Sequence, residues 1–198
     1  MRKLLTTVIS LVSISLGSMW VAPMSTAAAE PAPGSAFDFS FTSIDGKPMA
    51  LADWRGKILL VVNTASFCGF TKQYAGLQAL WTKYESKGLI VVGVPSNDFG
   101  GQEPKAESEI KKFCEGAFGI TFPLTDKQSV TGPSAHPFYK WAAASAGEGG
   151  APSWNFHKYL IGKDGRLLRS FSSRMSPESE DLMREIESAL AMQAATAN

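Results

Sequence analysis

Two short apolar runs do most to limit the fold of this chain. Residues 58–62 and 89–94 are continuous, apolar and rich in β-branched side chains, as strands buried on both faces of a sheet are. Between them, over residues 72–87, apolar residues recur at helical spacing, and Gly88 marks a helix end. A strand, a helix and a second strand in this order predict two parallel strands joined by a right-handed crossover.

Further elements are predicted on either side of this unit from alternation, helical spacing and turn residues. In chain order they are a strand at 37–41, a turn at Asp45 and Gly46, a returning strand at 47–51, helices at Glu107–Phe118 and 136–144, a hairpin of 156–161 and 166–171, and a helix from Pro177, with Ser176 as its N-cap, to about Met192. This order predicts an α/β protein with a thioredoxin-like fold. A mixed central sheet would be flanked by helices and preceded by an N-terminal β-hairpin.

The 198 residues are enough for one ordinary domain, and the N-terminus has the pattern of a secretory signal peptide. Arg2 and Lys3 precede an uncharged stretch, which ends in small residues before Glu30. We therefore expect a signal peptide at 1–29, a flexible leader at 30–36, the domain at 37–192 and a C-terminal tail at 193–198. Cleavage would give a periplasmic or secreted protein with no stable membrane insertion. An uncleaved membrane anchor is the alternative.

Charge and histidine content exclude several other functions. The formal net charge of +1 supplies no basic face for a nucleic acid. The two histidines, His136 and His157, lie far apart in the sequence and lack metal-ligand spacing with the cysteines. We therefore expect neither a metal nor a cofactor.

The chain has two cysteines, Cys68 and Cys114, which in an oxidising compartment could simply form a structural disulfide. The position of Cys68 favours chemistry instead. It follows the first buried strand and precedes the first helix, at the edge of the sheet where α/β proteins place their ligands. The N–H groups of a helix start favour the thiolate, which is the nucleophilic form of cysteine.

The residues around Cys68 argue against two families of redox protein. A disulfide exchanger of the thioredoxin type would have a second cysteine where Thr71 stands. A peroxiredoxin would have a threonine where Ala65 stands.

Three segments instead resemble the signatures of the glutathione peroxidase family. They are NTASFCGFT at 63–71, PSNDFGGQEP at 95–104 and WNF at 154–156, in family order and with family-like spacing. The similarity extends from about Phe37 to Leu190. The resemblance implies a non-selenium, thiol-dependent peroxidase whose catalytic residues are Cys68, Gln102, Trp154 and Asn155.

The residue types suit that chemistry. The amides of Gln102 and Asn155 and the indole of Trp154 can donate hydrogen bonds to a thiolate, and to charge in the transition state, without adding a charge of their own. Gly100 and Gly101 predict a backbone with positive φ that turns Gln102 inward. Taken singly, the tryptophan would suit packing, the glutamine a solvent-exposed loop and the asparagine a turn.

The chain departs from the family pattern at three positions near Cys68. Phe67 stands where many members have lysine, so a neighbouring positive charge is missing. Ser96 replaces a cysteine of many relatives. Asp98 stands where glutamine is common, and its negative charge would oppose a thiolate if it pointed inward.

The position of Cys114 resembles that of the resolving cysteine in the two-cysteine, thioredoxin-dependent branch of the family. The implied cycle runs from a Cys68 sulfenic acid to a Cys68–Cys114 disulfide and then to reduction by a dithiol protein. Without the resemblance, Cys114 would be interpreted as a small buried hydrophobe. A disulfide needs Cα atoms within about 7 Å. A reduced protein of this fold can hold the two cysteines further apart than that, so we expect the helix Glu107–Phe118 to unwind partly during turnover.

Other functions stay open at this point. The reductant could be glutathione in place of a thioredoxin-like protein, and the peroxide could be hydrogen peroxide or an organic hydroperoxide. A non-enzymatic peroxide sensor could use the same disulfide to recruit a partner. The resemblance also implies a monomer, because the segment 132–153 is short for the extended assembly loop of tetrameric members of the family.

Overall fold

A four-stranded mixed sheet forms the centre of the computed structural model, which describes residues 34–192. The four strands, in their order across the sheet, are β4 (Leu89–Pro95), β3 (Ile58–Thr64), β5 (Lys158–Ile161) and β6 (Leu167–Phe171). β3 and β4 are parallel, whereas β5 is antiparallel to both β3 and β6. All residues of β3 and β4 are buried, as their continuous apolar runs predict.

A two-stranded hairpin precedes this sheet, formed by β1 (Ser40–Thr42) and β2 (Pro48–Ala50). The predicted strand at 37–41 is wrong in its first half, where Ala36–Asp38 form a short 3-10 helix. A capping box stabilises this turn, because Ser35 accepts a hydrogen bond from the Phe37 N–H and the Asp38 carboxylate accepts one from the Ser35 N–H. The alternating phenylalanines are nevertheless all buried.

Four α-helices of the described segment flank the sheet. They are α1 (Gln73–Tyr84), α2 (Glu107–Phe118), α3 (Pro137–Ala146) and α4 (Glu180–Ala191). α1 contacts β4 and α2, α3 contacts β6, and α4 contacts β3. α1 lies between β3 and β4 in the chain and so connects the two parallel strands. The bounds of α2 are the predicted ones.

The start of α4 differs from the prediction. Ser179, and not Ser176, is the N-cap, since its hydroxyl accepts a hydrogen bond from the Leu182 N–H. Ser176 instead closes the preceding turn, where its hydroxyl accepts a hydrogen bond from the Glu178 N–H. Ser176 and Ser179 both have the sequence signal of a helix N-cap. Because the Ser176 hydroxyl caps the turn before the helix, Ser179 caps the helix itself.

The packed domain begins slightly before residue 37. Ala36, expected in the leader, is buried, and its N–H donates a hydrogen bond to the Gly165 carbonyl at 2.9 Å. The expected signal peptide at 1–29 and the tail at 193–198 lie outside the described residues. Among residues 34–192, no helix has the length and apolar character needed to cross a membrane.

The carboxyl ends of β3 and β4 lie side by side, with Thr64 paired to Pro95. The loops that leave these two strands carry Cys68 and Gln102, and the loop that enters β5 carries Trp154 and Asn155. The topology therefore brings three distant stretches of sequence to one edge of the sheet.

Candidate active site

Cys68 lies in a tight turn between β3 and α1. It is 8% exposed and is a free thiol. Thr71 holds the turn, because its hydroxyl accepts a hydrogen bond from the Cys68 N–H at 3.0 Å and donates one to the Ala65 carbonyl at 2.9 Å. The Phe70 N–H, just before α1, points at the sulfur with an N···Sγ distance of 3.4 Å. This N–H is a donor of the kind that a helix start supplies to a thiolate.

The loop after β4 carries Gln102 to the same place. Gly100 and Gly101 have φ angles of 66° and 64°, which confirms the predicted positive φ. The Gln102 carbonyl accepts a hydrogen bond from the Phe67 N–H at 3.1 Å. The backbone of Gln102 is therefore joined to the residue that immediately precedes Cys68.

The loop before β5 carries Trp154 and Asn155 and is held by Asn63 of β3. The Asn63 side chain donates a hydrogen bond to the Trp154 carbonyl at 3.1 Å, and the Asn63 carbonyl accepts one from the Phe156 N–H at 2.6 Å. Phe156 has a φ of 65°, the one non-glycine residue with positive φ among residues 34–192. Such a conformation costs about 1–3 kcal/mol and is typical of functional sites that the surrounding structure holds in place.

The side chains of Gln102 and Asn155 meet directly. The buried Asn155 donates from Nδ2 to Gln102 Oε1 at 3.0 Å. This bond fixes the orientation of the Gln102 amide and leaves its Nε2 free to donate to a ligand. Trp154 is 39% exposed, and its ring lies 5.8 Å from that of Phe99.

The four predicted catalytic residues thus lie on three adjoining loops, but they are not all bonded to the sulfur. Within the described part of the chain, the only hydrogen bond to Cys68 Sγ comes from the Phe70 N–H. In this structure Asn155 acts on Gln102 and does not donate to the sulfur. Gln102 and Trp154 lie on loops that adjoin the Cys68 turn, and neither side chain forms a hydrogen bond to the sulfur within the described residues.

The departures from the family pattern have structural consequences. The Asp98 carboxylate accepts hydrogen bonds from the Val130 N–H at 2.6 Å and the Thr131 N–H at 3.1 Å, so its charge is used to hold the 129–131 loop. Phe67 is 54% exposed, and the Lys105 ammonium lies 5.2 Å from the centre of its ring. The Lys105 ammonium therefore lies over the side chain of the residue before Cys68, and it comes from another loop.

The predicted resolving residue, Cys114, is completely buried on α2 and is also a free thiol. Burial raises the pKa of this thiol to about 11, and the Tyr74 hydroxyl beside it opposes part of the rise. The Tyr74 ring packs against Phe118 and Phe156, each at 5.4 Å. The structure therefore holds the two cysteines as separate thiols, Cys114 against α1 and Cys68 in its turn.

Two buried charged residues near the site were not among the predicted ones, Glu103 and Lys158. The Lys158 ammonium donates to the Gln73 side-chain oxygen and to the Phe156 carbonyl, both at 2.7 Å, and so ties α1 to the loop before β5. Burial lowers the pKa of Lys158 to about 7. The sequence signal for Lys158 was a lysine within an apolar strand segment. The signal for Glu103 was an acid directly after Gln102.

Comparisons with known proteins agree with the motifs. Residues 36–143 match the family model described as glutathione peroxidase. The chain is 46% identical over 162 residues to the hydroperoxy fatty acid reductase gpx1 of Synechocystis, an alignment that covers 78% of this chain and 95% of that protein. It is 41% identical over 156 residues to the glutathione peroxidase-like peroxiredoxin gpx1 of Schizosaccharomyces pombe, covering 78% of this chain and 98% of that one.

A solved structure identifies the wider fold. A thiol:disulfide interchange protein of the thioredoxin family from Chlorobium tepidum superposes with a TM-score of 0.60 at 21% identity, covering 83% of this chain and 99% of that one. This likeness confirms the thioredoxin-like fold. The family match and the two relatives show that the chain belongs to the glutathione peroxidase family and is an oxidoreductase enzyme of the peroxidase type.

Proposed function

We propose that this enzyme reduces hydrogen peroxide and organic hydroperoxides through Cys68, with Cys114 as the resolving cysteine and a thioredoxin-like protein as the reductant. The observation that carries the proposal is the meeting of three loops at one thiol. The Phe70 N–H points at the sulfur, and the bond from Asn155 orients the side-chain amide of Gln102, whose backbone is joined to Phe67 next to Cys68. The names of the two relatives, a hydroperoxy fatty acid reductase and a peroxiredoxin, support both the substrate class and the use of a cysteine.

The first step is an attack of the Cys68 thiolate on one peroxide oxygen. The S–O bond forms as the O–O bond breaks, which oxidises the cysteine to a sulfenic acid. The other oxygen leaves as hydroxide or alkoxide and takes a proton to become water or an alcohol. Gln102 Nε2 and the Trp154 indole are the neutral donors that stabilise the negative charge on the oxygens during this step.

The second step resets the enzyme. The Cys114 sulfur attacks the sulfenic sulfur, the thiol proton and the sulfenic hydroxyl leave as water, and a Cys68–Cys114 disulfide forms. A dithiol protein then reduces the disulfide by thiol–disulfide exchange. Because Cys114 is buried on α2, this step requires that part of α2 leave its place.

A donor-dependent peroxidase assay tests the proposal. We expect peroxide consumption to be sustained by thioredoxin and thioredoxin reductase, abolished in Cys68→Ser, and stopped after about one turnover in Cys114→Ser. Mass spectrometry of the peroxide-treated protein should then show a Cys68–Cys114 disulfide in the wild type.

Other outcomes separate the alternatives. Equal turnover with glutathione would overturn the assignment of the reductant, as would persistent Cys68 sulfenic or sulfinic acid beside a free Cys114. A Cys68 that reacts with peroxide no faster than free cysteine would favour a sensor or a structural protein over an enzyme.

A further inference from the structure

Glu103 is a completely buried acid directly after Gln102, and the proposed function gives it no task. Its carboxylate lies against the turn that holds Cys68. Oε2 accepts two hydrogen bonds from Ser66, one from the backbone N–H at 2.8 Å and one from the hydroxyl at 3.0 Å. Ser66 stands two residues before Cys68, so these bonds act on the backbone that leads into the reactive turn.

The backbone of the same loop adds to this connection. The Glu103 N–H donates to Asn97 Oδ1 at 2.8 Å, which fixes the residue within its own loop. The Gln102 carbonyl accepts from the Phe67 N–H at 3.1 Å. Three donors from Ser66 and Phe67 therefore end on Gln102 and Glu103, and they join the two loops immediately beside Cys68.

A buried carboxylate is a costly way to hold a loop. Burial raises the pKa of Glu103, and the hydrogen bonds from Ser66 oppose the rise. Within the described residues, no lysine or arginine forms a salt bridge with it. One side-chain oxygen of Glu103 nevertheless accepts both Ser66 bonds, so this oxygen has two partners in the buried site.

We propose that Glu103 is a positioning residue, which holds Ser66 and thereby sets the Cys68 sulfur at the correct distance from the Gln102 amide. The inference rests on the proposed roles of Cys68 and Gln102. Its physical basis is that a displacement of about 1 Å between reacting groups can lower a rate about a hundredfold. The residue acts through Ser66 and touches no substrate.

The test measures the rate constant for oxidation of Cys68 by hydrogen peroxide in a single turnover of the full chain, with the sulfenic acid trapped and quantified. In Glu103→Gln the amide oxygen can still accept both Ser66 bonds, so we expect a rate within about threefold of the wild type. We expect a loss of about thirtyfold in Glu103→Ala and of about threefold in Ser66→Ala, which keeps the backbone bond.

Coupling and reactivity distinguish positioning from general destabilisation. The double variant Ser66→Ala/Glu103→Ala should be no slower than Glu103→Ala, because both changes remove one interaction. Alkylation of Cys68 by iodoacetamide needs no donor from Gln102, and we expect it to stay within about twofold of the wild type in Glu103→Ala. Glu115→Ala, which removes an exposed acid from α2, is the matched control and should leave peroxide oxidation unchanged.

Several results would overturn the inference. The first is an oxidation rate in Glu103→Ala equal to that of the wild type. The second is an equal loss in the oxidation rate and the alkylation rate of this variant. The third is a double variant whose loss in oxidation rate is the product of the losses in Ser66→Ala and Glu103→Ala. If Glu103→Ala does not fold, a tenfold or greater loss in Glu103→Gln beside an unchanged Ser66→Ala overturns it instead. A wild-type Cys68 no faster than free cysteine would overturn the proposed function, and this inference with it.

Discussion

At the scale of single residues, the bond from Asn155 to Gln102 decides how the donors of the site are arranged. An amide presents a donor at one end and an acceptor at the other, and only a partner can hold it in one orientation. Asn155 binds the acceptor end of Gln102 at 3.0 Å, so the donor end remains available. Asn155 therefore affects the site through Gln102, whose amide it orients.

The charge-changing substitution Gln102→Glu tests this arrangement. A carboxylate has no N–H to donate and would repel the thiolate, so we expect the rate of Cys68 oxidation by hydrogen peroxide to fall about a hundredfold. The measurement is stopped-flow oxidation of the reduced protein. Gln78→Glu makes the same change at a half-buried position of α1, where the side-chain oxygen can still accept the hydrogen bond from the Thr121 N–H, and should leave the rate unchanged. A wild-type rate in Gln102→Glu would remove this residue from the chemistry.

At the scale of elements, α2 has few side chains that are completely buried. Only Ile110 and Cys114 of its twelve residues are buried. Gly116 lies inside the helix, where glycine is a poor helix former. Segments with little buried apolar surface open most easily, so α2 is suited to release Cys114 for disulfide formation.

The substitution Gly116→Ala tests whether α2 must open. An added Cβ meets nothing within 4 Å, and alanine stabilises a helix interior relative to glycine by about 0.5–1 kcal/mol. If opening precedes disulfide formation, the rate of that step should fall about two- to fivefold while the first oxidation of Cys68 is unchanged. Quenched-flow alkylation with mass spectrometry measures both steps.

Ser188→Ala is the matched control for this prediction. It raises the helix propensity of α4 at an exposed position and leaves α2 untouched, so neither step should change. An undiminished rate of disulfide formation in Gly116→Ala would mean that Cys114 reacts from an intact helix.

At the scale of the whole molecule, a buried lysine links stability to pH. Lys158 is completely buried, and burial lowers its pKa to about 7 from an ordinary value of 10.5. Between these pH values the unfolded chain keeps a proton that the folded chain has released. The free energy of unfolding should therefore gain a positive slope with pH across this window.

Urea denaturation between pH 7 and pH 9 measures this contribution. We expect the free energy of unfolding of Lys158→Met to rise less with pH than that of the wild type, since the variant lacks the titrating group. Lys112→Met, at an exposed position of α2, should keep the wild-type slope. The window stops at pH 9 because ionisation of Cys114, whose pKa is about 11 when folded, opposes the trend above that pH. Parallel slopes in all three proteins would contradict the prediction.

Local patterns in the sequence were enough to predict most elements. Helix α2 and the buried strands follow directly from periodicity and apolar runs, which depend on neighbouring residues. The errors at Phe37 and Ser176 arose where two local signals compete. In both cases a serine-capped turn prevails over the simpler pattern.

The sequence by itself determined the order of the elements, the edge of the sheet where Cys68 lies and the three motifs that meet there. Only the tertiary structure decided that Asn155 binds Gln102, that Glu103 holds Ser66 and that Lys158 ties α1 to the loop before β5. Periodicity reports which face of an element is buried, and that is a local property. These three hydrogen bonds join residues that lie 53, 37 and 85 positions apart in the sequence, so donor and acceptor come into contact only once the chain has folded.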